Sequence, residues 1–330
     1  MNSPVTRLLA TAVLLLVGSV AVPAQPPGKI PRVGVLRPGS PPPEDFGQRE
    51  AFEAGLRELG WRPGTNILIE YRYAGGQDER LAELAAELVR LPVDVIVASA
   101  PQGVRAAQRA TRSIPIVMST LPDPLGQGLV ASLARPGGNT TGLTLDSEEL
   151  AGKQLELLKD ALPALTRVGV LRNPQSPGYD VAKRQIAAAA RRLQLDVRDF
   201  PVSRPEDLPR AFAAMSRAGV GAVLVRRDVL VLEPHRARIL ALAAERRLPA
   251  MYNFRQFPES GGFMSYGADL NDIHRRSASF VDRILKGAKP ADLPIEQPTK
   301  FELVINLRTA RALGVTIPPS LRLRADVLIE

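Results

Sequence analysis

The hexapeptide RVGVLR stands twice in this chain, at Arg32–Arg37 and at Arg167–Arg172. Each copy is a short apolar run closed by turn residues, PGSPPP after the first and NPQSPG after the second. Each then gives way to a long segment with helical periodicity. Such a run suits a strand buried on both faces of a sheet. Its repetition restricts the folds open to the chain. It predicts two similar βα units in tandem, and 330 residues are natural for two domains.

Strand and helix alternate from residue 32 onward. In the first half VGVL (33–36), NILIEYRY (66–73), VDVIVAS (93–99), IPIVMST (114–120) and TTGLTL (140–145) read as strands. Between them, Glu44–Leu59 places Phe52, Leu56 and Leu59 on one helical face, and Leu81, Leu84, Ala85, Leu88 and Leu91 mark a helix stopped by Pro92. Gln102–Arg112 reads as a short helix. In the second half the predicted helices are Glu148–Leu162, Tyr179–Leu193, Glu206–Ala218 and Glu233–Arg247. The strands are VGVL (168–171), LDVRDFPV (195–202), GAVLV (221–225) and LPAMYN (248–253). This alternation implies parallel sheets covered by helices on both faces. The remaining residues hold a strand (GGFMSYG), a helix from Asp269 to Lys286, a Pro-rich bridge and FELVINLRTARALG, which together complete the two sheets. The expected lobes are therefore 30–145 with 254–288, and 146–253 with 289–330. The chain crosses between them near Thr141–Asp146, Tyr252–Arg255 and Lys286–Pro298.

Residues 1–24 have the layout of a secretory signal: Arg7, an apolar run from Leu8 to Val22, then VPAQPPG. The run is shorter than the ~18–20 residues of a membrane-spanning helix. Cleavage is expected after Ala24, with Ala21 as the alternative. The chain has no cysteine, which excludes a disulfide framework and a lipid attached through a cysteine at the cut site. A soluble, exported, periplasmic protein is the expectation. The net charge of +9 raises the question of nucleic acid. The arginines, however, are scattered through mixed-sign strings such as EAGLRELG and AAERRLP, as on a solvated surface, and no nucleic-acid partner is expected.

Catalysis would need a nucleophile with a base, a metal cluster or a cofactor cradle. The two histidines, His235 and His274, lie in predicted helices with no second ligand at metal-binding spacing, and read as surface or helix-terminal residues. Nothing matches G-x-S-x-G, H-E-x-x-H or a P-loop. Gly126-Gln127-Gly128-x-x-Ala131 resembles a dinucleotide fingerprint, but it follows a fourth strand and reads as a glycine-eased turn into a helix. No catalytic residue, metal or cofactor is expected.

Polar residues cluster instead just past strand C-termini, where open α/β sheets bind ligands. Ser40 and the turn before Phe46 follow the first strand; Ser99 and Ala100 follow the third; Ser119, Thr120 and Asp123 follow the fourth. The second half offers Asn173 and Ser176, then Asp228, then Asn253. Hydroxyls and free N–H groups at helix N-termini suit a carboxylate, and Asp228 or Asp123 suits an ammonium. Phe46, Tyr179, Tyr252 and Phe254 suit the wall of an apolar pocket. Each of these polar residues can equally do no more than cap a helix.

AFEAGLRELGW, NILIEYRYAGG, IPIVMSTLPDPLGQGLVASLARPGGNTTGL, RVGVLRNP and the long C-terminal run from PADLPIEQPTKFELVINLRTARALG to the end together resemble the ABC transporter substrate-binding protein family. The branch is the one with a type I periplasmic-binding fold, linked to uptake of tryptophan and other aromatic amino acids. The resemblance implies two Rossmann-like lobes with parallel sheets flanked by helices, joined by three hinge crossovers. A small-molecule ligand would sit in the cleft, and the expected partner is an ABC permease, met by a monomer. A periplasmic sensor docking on a membrane receptor would carry the same sequence features. A nucleotide-dependent enzyme would need a glycine fingerprint directly after the first strand, where LRPGSPPPED stands.

Overall fold

A computed structural model describes residues 29–42, 46–145, 150–175, 179–228 and 235–330, with backbone alone at 179–181. The expected signal segment lies outside the described residues. Among those described, no helix is long and apolar enough to cross a membrane.

The chain begins with strand β1 (Arg32–Arg37), helix α1 (Gln48–Glu58), β2 (Leu68–Tyr73), α2 (Leu81–Arg90), β3 (Val95–Ser99), α3 (Ala100–Ala110), β4 (Ile116–Leu121) and β5 (Thr140–Thr144). It continues with α4 (Leu150–Ala161), β6 (Arg167–Arg172), α5 (Tyr179–Leu193), β7 (Asp196–Pro201), α6 (Leu208–Arg217), β8 (Ala222–Val225), α7 (Arg236–Glu245) and β9 (Ala250–Tyr252). The last part holds α8 (Gln256–Glu259), β10 (Met264–Ala268), α9 (Leu270–Leu285), β11 (Phe301–Asn306), α10 (Leu307–Leu313), α11 (Pro319–Arg324) and β12 (Val327–Ile329). One sheet has the order β2-β1-β3-β4-β5, and the other β12-β11-β10-β9-β8-β6-β7.

The two RVGVLR copies occupy equivalent places in separate sheets. β1 lies between β2 and β3, and β6 between β7 and β8, all parallel. Side chains alternate across a strand, so the same letters meet the same kind of neighbour twice. Val33 and Val35 pack with Phe52 and Leu56 of α1 and Phe280 of α9, while Leu36 turns to the opposite face with Leu84, Leu88 and Val104. Val168 and Val170 pack with Leu155 and Leu158 of α4, while Leu171 joins Phe212, Met215 and Ile239 on the other side.

The second sheet is not wholly parallel, as expected from the alternation, because β10 and β11 run antiparallel. β10 ends where the chain leaves for the first lobe, and β11 begins where it returns. Asp269 N–H donates to the Lys300 carbonyl at 3.1 Å, tying departure to return. A strand that re-enters at the end its predecessor left must run the other way. The expected lobe boundaries shift accordingly. Segment 254–288 is divided: α8 and β10 belong with the second sheet, and α9 covers the first. The second crossing therefore falls at Ala268–Leu270 and not near Tyr252–Arg255. Residues 289–296 also lean on the first lobe, since Leu293 and Ile295 join its core and Glu296 bridges to Leu143 beside β5.

Helix α9 fits against α1 at very short range. A Cβ on Gly55 would lie 2.2 Å from the Arg275 carbonyl oxygen, so only glycine allows this approach. Gly152, in α4, has only ordinary contacts at 3.7 Å and beyond. Gly55→Ala is expected to destabilise the protein by ~1–3 kcal/mol through overpacking. Gly152→Ala should stabilise it by ~0.5–1 kcal/mol, because alanine loses less backbone entropy in a helix. Denaturant unfolding of both variants measures the two signs.

A charged cluster sits at the second and third crossings. Arg255 donates to Glu302 at 3.1 Å and to Glu259 at 2.8 Å, and Lys300 pairs with Asp269 at 2.8 Å. Asp269 caps α9 by accepting from the N–H groups of Asn271 and Asp272. Burial works against its charge, but Lys300 and these bonds outweigh it and hold its carboxyl low. Glu302 behaves oppositely: burial raises it to about 7, with Asp269 and Glu259 adding to the rise and Arg255 and Lys300 opposing it. A carboxyl raised in the fold contributes its full stabilisation below its unfolded value of 4.5 and loses it as pH rises through about 7. Glu302→Gln should therefore gain in melting temperature over the native protein as pH rises from 5 to 8, measured at ~1-unit steps. A difference that stays constant with pH would contradict this assignment.

Candidate functional site

The C-terminal ends of β1, β3 and β4 and those of β8 and β9 border a single cavity of about 570 Å³. That is the size range of small-molecule pockets. The first lobe contributes Arg37, Ser40, Phe46, Ser99, Ala100 and Thr120; the second contributes Arg227, His235, Arg236, Phe254 and Phe257. The guanidinium of Arg236 lies 5.1 Å from the Phe46 ring centroid, a cation–π contact that joins the two lobes.

Three non-glycine residues on this wall hold left-handed backbone: Phe46 at φ 53°, Ala100 at φ 59° and Thr120 at φ 56°. Such conformations cost of order 1–3 kcal/mol each and concentrate at ligand sites. Ala100 opens α3 directly after β3, so free N–H groups at the helix N-terminus meet the cavity.

Arg37 ends the first RVGVLR copy. It is buried, donates to the Gln48 side chain and lies 3.4 Å from the ring nitrogen Nε2 of His274. His274 is not the surface or helix-terminal residue expected from sequence. It is 2% exposed, and burial, helped by Arg37, holds its pKa well below the usual histidine value. A neutral imidazole beside a guanidinium keeps the positive charge on Arg37. His235 does stand at a helix terminus, preceding α7, and it faces the cavity.

The expected site residues divide into those on the wall and those behind it. Ser40, Phe46, Ser99, Ala100 and Thr120 line the cavity. Ser119 is fully buried and hydrogen-bonds Ser99 at 3.0 Å, pinning β3 to β4. Asp123 does not reach the cavity lining; it accepts from the Gly126 N–H at 2.8 Å. That bond closes a turn over the GQG segment, which enters no helix, contrary to expectation. Asn173, Asp228 and Asn253 are buried and lie off the lining. Asn173 donates to Asp228 at 3.0 Å, and Asn253 donates to the Val225 carbonyl at 3.0 Å and accepts from Gln154 at 3.1 Å. Gln154 in turn accepts from Arg226 at 2.9 Å. This network ties α4 to the ends of β8 and β9. A Cβ on Gly267 would lie 1.8 Å from the Asn253 carbonyl oxygen, so the close packing here requires glycine. Ser176 and the Tyr179 side chain lie outside the described residues. Tyr252 stacks on Phe257 at 4.5 Å within the core, leaving Phe254 on the wall.

Sequence reading missed Arg37, Gln48, Asp78, Gln102, Arg227, Arg236 and Gln256, all of which line the cavity. Arg37 and Arg227 had a signal, since one ends and the other closely follows a strand, at the edge where open α/β sheets bind ligands. The others stand on helices or turns whose facing direction no local pattern reveals. Among the described residues, no group of three or more His, Cys, Asp or Glu is placed to hold a metal.

Comparison with known proteins agrees with this architecture. A curated tyrosine-binding protein of Clostridioides difficile (strain R20291) is 25% identical over 81% of this chain and 76% of its own length. The crystal structure of an ABC domain in complex with L-Trp from Streptococcus pneumonia superposes with a TM-score of 0.81 at 27% identity, covering 91% of this chain and all of that one. A conserved domain protein of Vibrio cholerae O1 biovar eltor gives a TM-score of 0.77 at 27% identity, over 91% and 100% of the two chains. Residues 35–329 match the family of ABC transporter substrate binding proteins, and with two α/β lobes of the type I periplasmic-binding fold around one ligand-sized cleft, the chain belongs to that family.

Proposed function

We propose that this protein captures an aromatic amino acid, or a closely related aromatic carboxylate, in the interlobe cleft and delivers it unchanged to an ABC permease. The observation that carries this reading is the composition of the cavity wall. Arg37, Arg227 and Arg236 supply positive charge for a carboxylate, and Phe46, Phe254 and Phe257 supply ring faces. The tyrosine-binding and L-Trp-bound relatives support the same class. On this reading the cleft recognises its ligand and releases it unchanged. The protein acts as a monomer in the periplasm, with residues 1–24 serving as its export signal.

The geometry supplies the means of signalling occupancy. Arg37 and Ser99 belong to one lobe, Arg227 and Arg236 to the other. A ligand held by the first lobe gains its contacts with the second only when the cleft closes. That difference in affinity between open and closed forms is what shifts the population. The permease then reads a closed surface that the empty protein rarely presents.

A thermal-shift screen of the proteinogenic amino acids, aromatic carboxylates, sugars and polyols tests the reading. Ligand at 100 times its Kd should stabilise the protein by about 2.7 kcal/mol, a rise of several degrees in melting temperature. Tryptophan, tyrosine or phenylalanine should give the largest rise. A response confined to sugars or polyols, or none to any aromatic compound, would overturn the proposed substrate class.

A further inference from the structure

The cleft wall contains one feature that a carboxylate and an aromatic ring leave unused. Asp78 opens a short 3-10 turn, Asp78–Arg80, leading into α2, and Gln102 stands in the first turn of α3. Both line the cavity. Gln102 donates its Nε2 to Asp78 Oδ2 at 3.1 Å. An amide can meet a carboxylate only through its NH2 group, so this bond fixes the orientation of Gln102. Its Oε1 is left buried with no hydrogen-bond partner. Among the described residues no lysine or arginine pairs with Asp78, which is exposed, and the charge that acts on its carboxyl is that of another acid, Glu79. Burial raises the Asp78 pKa, opposed by the bond from Gln102.

Here the first lobe offers an exposed carboxylate, held in place by an amide, in a cleft whose other charged side chains are Arg37, Arg227 and Arg236. A ligand group carrying N–H donors and a positive charge is the complement of that carboxylate. We propose that Asp78 and Gln102 are the amine-recognising pair of this protein, selecting ligands with a primary ammonium group over their deaminated counterparts. The proposal rests on the ligand class given above and narrows it. The ammonium binds the first lobe through Asp78, whose carboxylate Gln102 orients. The carboxylate meets Arg227 and Arg236 of the second, so one zwitterion spans the hinge.

Isothermal titration calorimetry on the intact protein tests this with matched pairs: L-tryptophan against indole propionate, L-phenylalanine against phenylpropionate, and L-leucine against isocaproate. The native protein should prefer the amine-bearing member by about tenfold or more. Asp78→Asn should reduce that preference at least about tenfold while leaving the deaminated member unchanged or tighter, because a negative charge has been removed from its site. Gln102→Leu should reduce it less, and Asp78→Glu should restore part of it. Unfolding midpoints without ligand show whether each variant is folded. Equal weakening of both members by Asp78→Asn, or no weakening of either, overturns the proposal. Aromatic acids that bind irrespective of the amine remove the pair and leave the aromatic reading standing. An Asp78-dependent preference seen only with leucine does the reverse. Binding of none of the six overturns both.

Discussion

Parallel strands must all end on the same edge of their sheet, and that constraint organises this molecule. The C-terminal ends of β1, β3 and β4 deliver Arg37, Ser99 and Thr120 to one edge of the first lobe, and those of β8 and β9 deliver Arg227 and Phe254 to the second. At these edges the backbone leaves its ladder, and helices begin with unpaired N–H groups. Polar binding capacity follows from the topology before any side chain is chosen. The cleft is where two such edges meet.

The side chains then make the edges unequal. Behind the second edge, Gln154 links Arg226 to Asn253, and Asn173 donates to Asp228. Buried polar groups paired in this way resist movement, because any departure leaves one of them without a partner. On the first edge, left-handed backbone at Phe46, Ala100 and Thr120 stores strain that the surrounding sheet and helices must support. Rigid support on one side and strained presentation on the other hold the wall residues in place without a bound molecule. The interlobe contact of Arg236 with Phe46 is then the weaker link, exposed to whatever enters the cleft.

Much of the fold was legible because periodicity reports burial. RVGVLR announced two equivalent strands, and the i, i+3, i+4 pattern of Leu81, Leu84, Ala85 and Leu88 announced α2, whose buried face is formed by those four residues. The direction of β11 was not legible. It depends on where the chain re-enters the sheet after visiting the other lobe, which no local pattern encodes. The site was half legible for a related reason. Ser40, Ser99, Ala100 and Thr120 stand at or just past strand ends and could be placed by counting. Asn173, Asp228 and Asn253 follow strands too, but whether such a residue faces a ligand or a neighbour depends on what packs beside it, here Gln154 and each other. His274 was misread because helical position says nothing of what covers a helix, and α9 is covered by α1 through the bare backbone of Gly55.

That covering helix has a consequence in time. Residues 31–145 supply every strand of the first sheet, yet one face is covered only by α1 until α9 arrives, and the outer edge of β5 stays bare until Glu296 reaches it. A ribosome releasing the chain from its N-terminus thus leaves the face formed by Val33, Val35, Val95 and Val97 incompletely covered for most of synthesis. Contacts this distant along the chain close slowly, since loop entropy must be overcome before they contribute. The nascent protein is obliged to remain immature and chaperone-accessible until nearly its whole length has emerged.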